Sequence, residues 1–284
     1  MMPDLGYYRP ETTEDVSTLL QQHQARPFAG ATDLLVQMRG GLDHAPSIVD
    51  LNTLPELDEI RPAADGSLVI GATVRLSRVS SDTLCARYPA LIEGAATVGS
   101  VQVRNRATLV GNVCNGSPAA DTAPALLVYD ARVSLRSSRG RRELPVESFW
   151  RGPGQTALEP GEWVESITLP PPDRHGGCYL KLGRTLGMGC AIVGVAAYVS
   201  SSEVRIGLAS VAPTPLRARR VETEIEGQEG ELLPRVTQAL QDLISPITDL
   251  RASEEYRRAM TVVLLERALR IARARLTVES EGSR

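Results

Sequence analysis

Two stretches of this chain carry residue types better suited to touching a ligand than to building a core. The first, Arg104 to Asp121, reads RNRATLVGNVCNGSPAAD: two arginines, three asparagines, two glycines and one late aspartate, with few large apolar side chains. Thr108, Gly111 and Asn112 offer a hydroxyl, an unobstructed backbone and a two-sided amide, and Asn115, Gly116 and Ser117 continue the polar run. The second, FAGATDLL from Phe28 to Leu35, is a turn of glycine and alanine that leads into a helix. Such a turn leaves backbone N–H groups unpaired, lets a ligand approach the main chain closely, and attracts phosphate. Thr32 adds a hydroxyl, and Asp33 is placed to cap the turn rather than to touch an anion. Either stretch alone is equally a tight strand-to-helix turn that needs small residues for packing. Together, rich in neutral donors and poor in lysine, they suit a buried pyrophosphate whose charge is met by backbone dipoles. Asp121 fits either of two roles, accepting from a ribose or ribityl hydroxyl or capping a helix that starts at Ala123.

Other chemistry finds little support. The histidines are His23, His44 and His175, none in an HExxH motif or beside a GxSxG serine. Cys85, Cys114, Cys178 and Cys190 are too far apart for a CxxC pair or a zinc or iron–sulfur ligand set, so no metal site is expected and the thiols are read as reduced. Gly187-Met-Gly189 begins like a dinucleotide fingerprint, but position 192 is isoleucine and a strand follows, which leaves a turn. No catalytic side chain emerges; the chemistry is that of a bound cofactor.

Several elements must hold these loops. Thr12 or Thr13 caps a short helix with the apolar stripe Val16, Leu19 and Leu20. Arg26 to Phe28 ends a strand, Ala29 to Asp33 is the loop, Leu34 to Arg39 is a helix stopped by Gly40 and Gly41, and Ser47 to Leu51 is a second strand. This is a small βαβ-like unit. Leu68, Ile70, Ala72 and Val74 alternate as a half-buried strand, Pro89 to Thr97 is a helix of small residues, and Ala123 to Tyr129 is another. ARVSLRSSRGRRELPV is a hairpin turning near Arg139 and Gly140, EWVESITLP is a strand, and PPPDRHGG is a linker. AIVGVAAYV is apolar enough to be buried on both faces, SEVRIGLASVA pairs with it, and Glu254 to Leu276 is a long helix whose arginines form a solvated face.

At 284 residues and 42% hydrophobic, the chain can bury one large core or two ordinary ones. A formal charge of −3 argues against nucleic acid or an anionic membrane surface as partner. No apolar run approaches the ~20 residues of a membrane span, and the first residues lack the regions of a signal peptide. A cytoplasmic location is expected.

The chain resembles, almost end to end, the FAD-binding medium subunit of the molybdenum hydroxylases, the group that includes xanthine dehydrogenase and aerobic carbon monoxide dehydrogenase. The marks are AGATDLL at 29–35, QVRNRATLVGNVCNGSPAADTAPAL at 102–126, YLKLGR at 179–184, VAPTPLRARR at 211–220 and DLRASEEYRR at 249–258. The resemblance implies an α+β fold. A two-subdomain FAD-binding domain of the PCMH type would occupy 1–173, split near residue 55, and a smaller C-terminal domain with a three-stranded antiparallel sheet and helices would occupy 176–281. It implies FAD contacts from Pro27, Phe28, Ala29, Gly30, Ala31, Thr32, Asp33 and Leu34, and from Thr108, Leu109, Val110, Gly111 and Asn112. Val98 on the flavin side, Ser117, Asp121, Val164 on the adenine side and Lys181 near the isoalloxazine complete the set. It implies as partners a large molybdopterin subunit and a small [2Fe–2S] subunit in a dimer of heterotrimers, and an acceptor such as NAD or oxygen.

Two positions depart from the family pattern. The family often has glycine where this chain has Ala31 and Val110, and the valine sets bulk close to the cofactor, which bears on flavin access and acceptor choice. The cysteine-rich insertion of benzoyl-CoA-type relatives is absent from the sequence. The leading expectation is an electron-transfer subunit. The alternatives are a stand-alone FAD-dependent oxidoreductase, and an assembly module that has lost FAD, for which Val110 is the motivating feature.

Overall fold

Thr12 opens the first helix with a reciprocal cap: its hydroxyl accepts from the Asp15 N–H at 3.2 Å, and the Asp15 carboxylate accepts from the Thr12 N–H at 2.8 Å. In the computed structural model, which describes residues 5–185, 187–225 and 234–281, this helix (α1, Thr13–Gln22) follows strand β1 (Gly6–Tyr8). Next come β2 (Arg26–Phe28), α2 (Leu34–Arg39) and β3 (Ser47–Asp50). The three strands form a parallel sheet in the order β1-β3-β2. The βαβ unit read from sequence is present; β1 was missed because three residues carry no readable period.

A second sheet, antiparallel in the order β4-β5-β10-β6-β7, is built from β4 (Ile60–Pro62), β5 (Leu68–Gly71), β6 (Arg132–Ser137), β7 (Gly140–Pro145) and β10 (Trp163–Leu169). Between β5 and β6 run five helices: α3 (Leu76–Val79), α4 (Pro89–Thr97), α5 (Val101–Arg104), α6 (Leu109–Cys114) and α7 (Ala123–Val128). β8 (Trp150–Gly152) and β9 (Gln155–Thr156) form a small separate hairpin. The expected strand through Val74 stops at Gly71, although Ala72 and Val74 are buried as the alternation required.

The third sheet differs from expectation. It runs β11-β12-β13-β14, from β11 (His175–Leu182), β12 (Val193–Ser200), β13 (Val204–Ala209) and the two-residue β14 (Leu216–Arg217), so it has four strands rather than three. The glycines assigned to a linker also belong to β11. A Cβ at Gly176 would sit 1.7 Å from the Ala272 carbonyl oxygen, and one at Gly177 would sit 2.5 Å from the Tyr129 hydroxyl. Those glycines are small so that a helix and a tyrosine can press on the strand; flexibility is not their use.

Against this sheet lie α8 (Arg219–Ile225), α9 (Pro234–Leu243) and α10 (Glu254–Glu281). One core gathers residues from Val16 to Leu169 together with Tyr179, Ala196 and Tyr198; a second joins β11, β12 and β13 to α8, α9 and α10. All eight residues of β12 are buried because both cores use the strand. The long helix runs further than Leu276, and its buried stripe is Leu264, Leu265, Ala268, Leu269 and Ala272. Arg257 contradicts the solvated-face reading: it is 1% exposed, donates to the carbonyls of Ile192 and Ser210 at 2.7 and 3.2 Å, and pairs with Asp249 at 2.8 Å. A buried guanidinium needs such acceptors.

Candidate functional site

Gly30 fixes the first loop. A Cβ there would lie 2.3 Å from the Arg106 carbonyl oxygen and 2.8 Å from the Ala107 Cα, so only glycine lets the loop after β2 rest on the segment that opens α6. Asn52 supports it from the other side, donating from Nδ2 to the Ala29 carbonyl at 3.1 Å. Among the described residues, the N–H groups of Gly30, Ala31, Thr32 and Asp33 find no protein acceptor. Four such groups in succession make an anion-binding concavity.

Ala31 holds the loop in the left-handed region at φ +58°. The methyl group there costs about 1 kcal/mol relative to glycine. Ala31→Gly is therefore expected to raise the thermal midpoint by a few degrees without lowering FAD affinity, which differential scanning fluorimetry with and without FAD checks.

The second loop begins at Thr108, whose hydroxyl caps α6 by accepting from the Gly111 N–H at 3.0 Å. The Asn112 side-chain oxygen accepts from the Thr122 hydroxyl at 2.6 Å, which aims its amide group. The two loops face one cavity of about 740 Å³, within the range of ligand pockets. Its wall includes Pro27, Ala29, Gly30, Ala31, Thr32, Asp33, Leu34, Val98, Thr108, Val110, Gly111, Asn112 and Val164. Val110 touches the cavity but is itself 5% exposed and packed in the first core, so its bulk goes mainly into the core.

Five expected site residues stand off that wall. Phe28 is half-buried in β2. Leu109 is fully buried and its N–H donates to the Val74 carbonyl at 3.2 Å. The Ser117 hydroxyl accepts from the Ala119 N–H at 3.2 Å. Asp121 and Lys181 pair with each other at 2.7 Å, Asp121 also accepts from the Tyr179 hydroxyl at 2.7 Å, and Lys181 donates to the Thr97 carbonyl at 3.1 Å. Burial pushes the Asp121 carboxyl upward, and the Lys181 ammonium pulls it back. Neither proposed cap is made: Asp33 forms no side-chain cap to α2, and Thr122 rather than Asp121 precedes α7.

The sequence reading passed over the rest of the wall. Gln37 and Asn115, hydrogen-bonded to each other at 3.2 Å, line it, as do the β8–β9 hairpin through Arg151, Gln155 and Thr156 and the segment from Leu158 to Trp163. The Gly152-Pro-Gly154 turn was the available signal for the hairpin. No histidine or lysine lines the cavity, and no group of metal-ligating side chains occurs among the described residues. The two buried cysteines, Cys85 and Cys178, have thiols pushed up to about 12 by burial, so they are protonated and unreactive. Beside the charged side chains of Arg26, Asp33, Arg151, Glu159 and Glu162, the wall offers backbone dipoles, hydroxyls and apolar surface, which fit a dinucleotide.

Similarity to known proteins agrees with this reading. The family model described as the FAD binding domain in molybdopterin dehydrogenase matches residues 3–172, and that of the CO dehydrogenase flavoprotein C-terminal domain matches residues 178–272. The chain belongs to the family of FAD-binding subunits of the molybdopterin dehydrogenases. Within it, the chain is similar to the xanthine dehydrogenase FAD-binding subunit of Escherichia coli O157:H7, with 34% identity over 95% of this chain and 98% of the relative. The carbon monoxide dehydrogenase medium chain of Hydrogenophaga pseudoflava is 33% identical over 96% of this chain and 98% of its own. Among solved structures, reconstituted CO dehydrogenase from Oligotropha carboxidovorans superimposes with a TM-score of 0.91, 30% identity, and coverage of 97% of this chain and 99% of that one. The cofactor is FAD, and the protein is an oxidoreductase subunit.

Proposed function

We propose that this chain is the electron-transfer subunit of a molybdopterin-dependent hydroxylase. The observation that carries the proposal is the cavity in which the unpartnered amides of Gly30 to Asp33 and the capped start of α6 face the same space. Kinship with subunits of xanthine and carbon monoxide dehydrogenases supports the wider setting. A large molybdopterin subunit hydroxylates the substrate, a small subunit passes electrons one at a time through [2Fe–2S] clusters, and this chain delivers them in pairs to an acceptor such as NAD or oxygen. The complex is a cytoplasmic dimer of heterotrimers. No described helix is long and apolar enough to cross a membrane. The chain divides into an FAD-binding unit over 1–173 and a smaller unit over 176–281.

Bound FAD supplies the redox chemistry, accepting and releasing up to two electrons. The protein's part is to hold it. The amides of Gly30 to Asp33 would hold its diphosphate, Thr108, Gly111 and Asn112 would bind from the second loop, and Val98 and Val164 would pack on the flavin and adenine sides. Mixing the chain with the partner subunits and substrate, anaerobically, is expected to bleach its flavin band. Bleaching of the lone chain by substrate would instead establish a stand-alone oxidoreductase, and a chain that takes up no flavin would be an assembly module.

Lys181 tunes this site through a pair with no net charge. Lys181→Ala leaves Asp121 buried without its cation, and such a carboxyl holds its proton until higher pH. Once it ionises, the variant carries one more negative charge beside the cavity than the wild type does. The midpoint potential of bound FAD is then expected to fall relative to wild type as pH rises, by tens of millivolts, with about 30 mV for each ~1.4 kcal/mol in a two-electron couple. Potentiometric titration at several pH values checks this; identical potentials throughout would remove the role.

A further inference from the structure

Among the described residues the cavity wall contains two arginines, and one of them is committed. Arg26 pairs with Asp43 at 3.2 Å. Arg151, among the described residues, has neither an ion-pair partner nor a hydrogen-bond acceptor. The carboxylates of the wall leave it alone: Glu159 is held by Arg139 at 2.7 Å, Glu162 by Arg142 at 2.7 Å, and Asp33 forms no ion pair or hydrogen bond with it. We propose that Arg151 is a nucleotide-binding residue that supplies an uncommitted positive charge to the phosphates of the dinucleotide in this cavity, where both glycine loops offer only dipoles. The inference rests on the FAD reading of the site.

The hairpin that carries Arg151 is fixed in place. Beside it, the Trp150 indole N–H donates to the Val113 carbonyl at 3.1 Å, and Trp150 is buried. At the tip, the Gly154 N–H donates to the Gly116 carbonyl at 2.9 Å. Gly116 has φ +62°, and a Cβ there would come within 3.1 Å of the Gln155 nitrogen, so the hairpin seats directly on the loop after α6. β8 therefore straps the C-terminal turn of α6, with Trp150 turned into the core and its neighbour Arg151 on the cavity side. Trp150 pairs with Thr156 and Gly152 with Gln155, which leaves Arg151 as the extra residue of a bulge, exposed on the cavity side while Trp150 is buried. A guanidinium held on a fixed strand suits a phosphate, whose oxygens accept its paired N–H donors.

The test uses the full-length chain, stripped of flavin and titrated with FAD by quenching of flavin fluorescence. Arg151→Ala is expected to raise the dissociation constant roughly tenfold, the loss of one hydrogen-bonded contact to a charged group. It is also expected to flatten the dependence of affinity on salt, while Arg151→Lys restores part of both. Competition separates the phosphates from the rest of the ligand: the inhibition constant of ADP should rise in Arg151→Ala by about the factor seen for FAD, with that of adenosine unchanged. Equal FAD affinity and salt dependence in wild type and Arg151→Ala would overturn the assignment and leave the FAD reading intact. Failure of the wild-type chain to bind FAD would overturn both. Circular dichroism and an unchanged thermal midpoint guard against a folding defect; should Arg151→Ala fail that check, Arg151→Lys and Arg151→Gln carry the comparison.

Discussion

Gly30→Ala is expected to purify colourless. The added Cβ overlaps the Arg106 carbonyl oxygen and the Ala107 Cα, both main-chain atoms that cannot rotate aside, so the loop must lift off the start of α6. Lifting it moves the amides of Gly30 to Asp33 away from the space they share with Thr108 and Gly111. Losing two hydrogen bonds to a charged group, each worth about 1.5–3 kcal/mol, lowers affinity by about 100-fold or more. The strain itself costs about 1–3 kcal/mol of stability. The ratio of flavin to protein absorbance, read beside a far-ultraviolet spectrum, separates loss of cofactor from loss of fold. A folded variant with full flavin content would show that the first loop does not hold the cofactor.

Arg257→Ala is expected to have the largest effect on stability. Arg257 ties the first turn of α10 to the residues flanking β12 and β13 through two carbonyls that accept from Nη1, and to Asp249 through Nη2. Asp249 is in turn held by Arg251 at 2.6 Å, and these arginines keep its carboxyl well below the usual carboxylate range. Removing the guanidinium leaves buried acceptors without donors, a change that costs about 3–5 kcal/mol. At about 2–4 °C for each kcal/mol in a chain of this size, the thermal midpoint should drop by roughly 10 °C. Below that midpoint FAD affinity should hold, because Arg257 bonds Ile192 of the second core, whereas the cavity wall shares Ala72, Ala107, Val110, Trp163 and Val164 with the first. A drop of only a degree or two in calorimetry would mean that the arginine is dispensable.

How far the molecule was legible followed the range of the interactions. α1, α2 and α4 were readable because their signals are local: a threonine cap with Asp15 three residues on, a glycine pair after Arg39, and Pro89 at the start with Gly99 beyond the end. The two glycine-bearing loops were readable for the same reason, since a turn that needs close backbone approach declares itself in a few residues. β8, β9 and β14 have two or three residues each and no period to read. His175 to Gly177 looked like a linker because the helix that requires the smallness of Gly176 arrives about a hundred residues later, and Tyr129, which presses on Gly177, lies far back along the chain. Arg257 looked solvated because helical periodicity marks faces and not which acceptors lie opposite.

The site shows the same limit. Gly30, Thr108 and Gly111 were identified from their own neighbourhoods, and they share the cavity wall. The mutual pairing of Asp121, Tyr179 and Lys181 spans 58 to 60 residues of chain, and nothing local specifies it. Arg151 escaped notice because an arginine in a short strand resembles any surface arginine until the carboxylates around it are seen to be taken.

A structure of the chain with FAD bound tests the central claim most directly. The account predicts the diphosphate within hydrogen-bonding distance of the Gly30 to Asp33 amides, with the second loop closing from the α6 side. A diphosphate lodged elsewhere, with those amides facing only water, would contradict it.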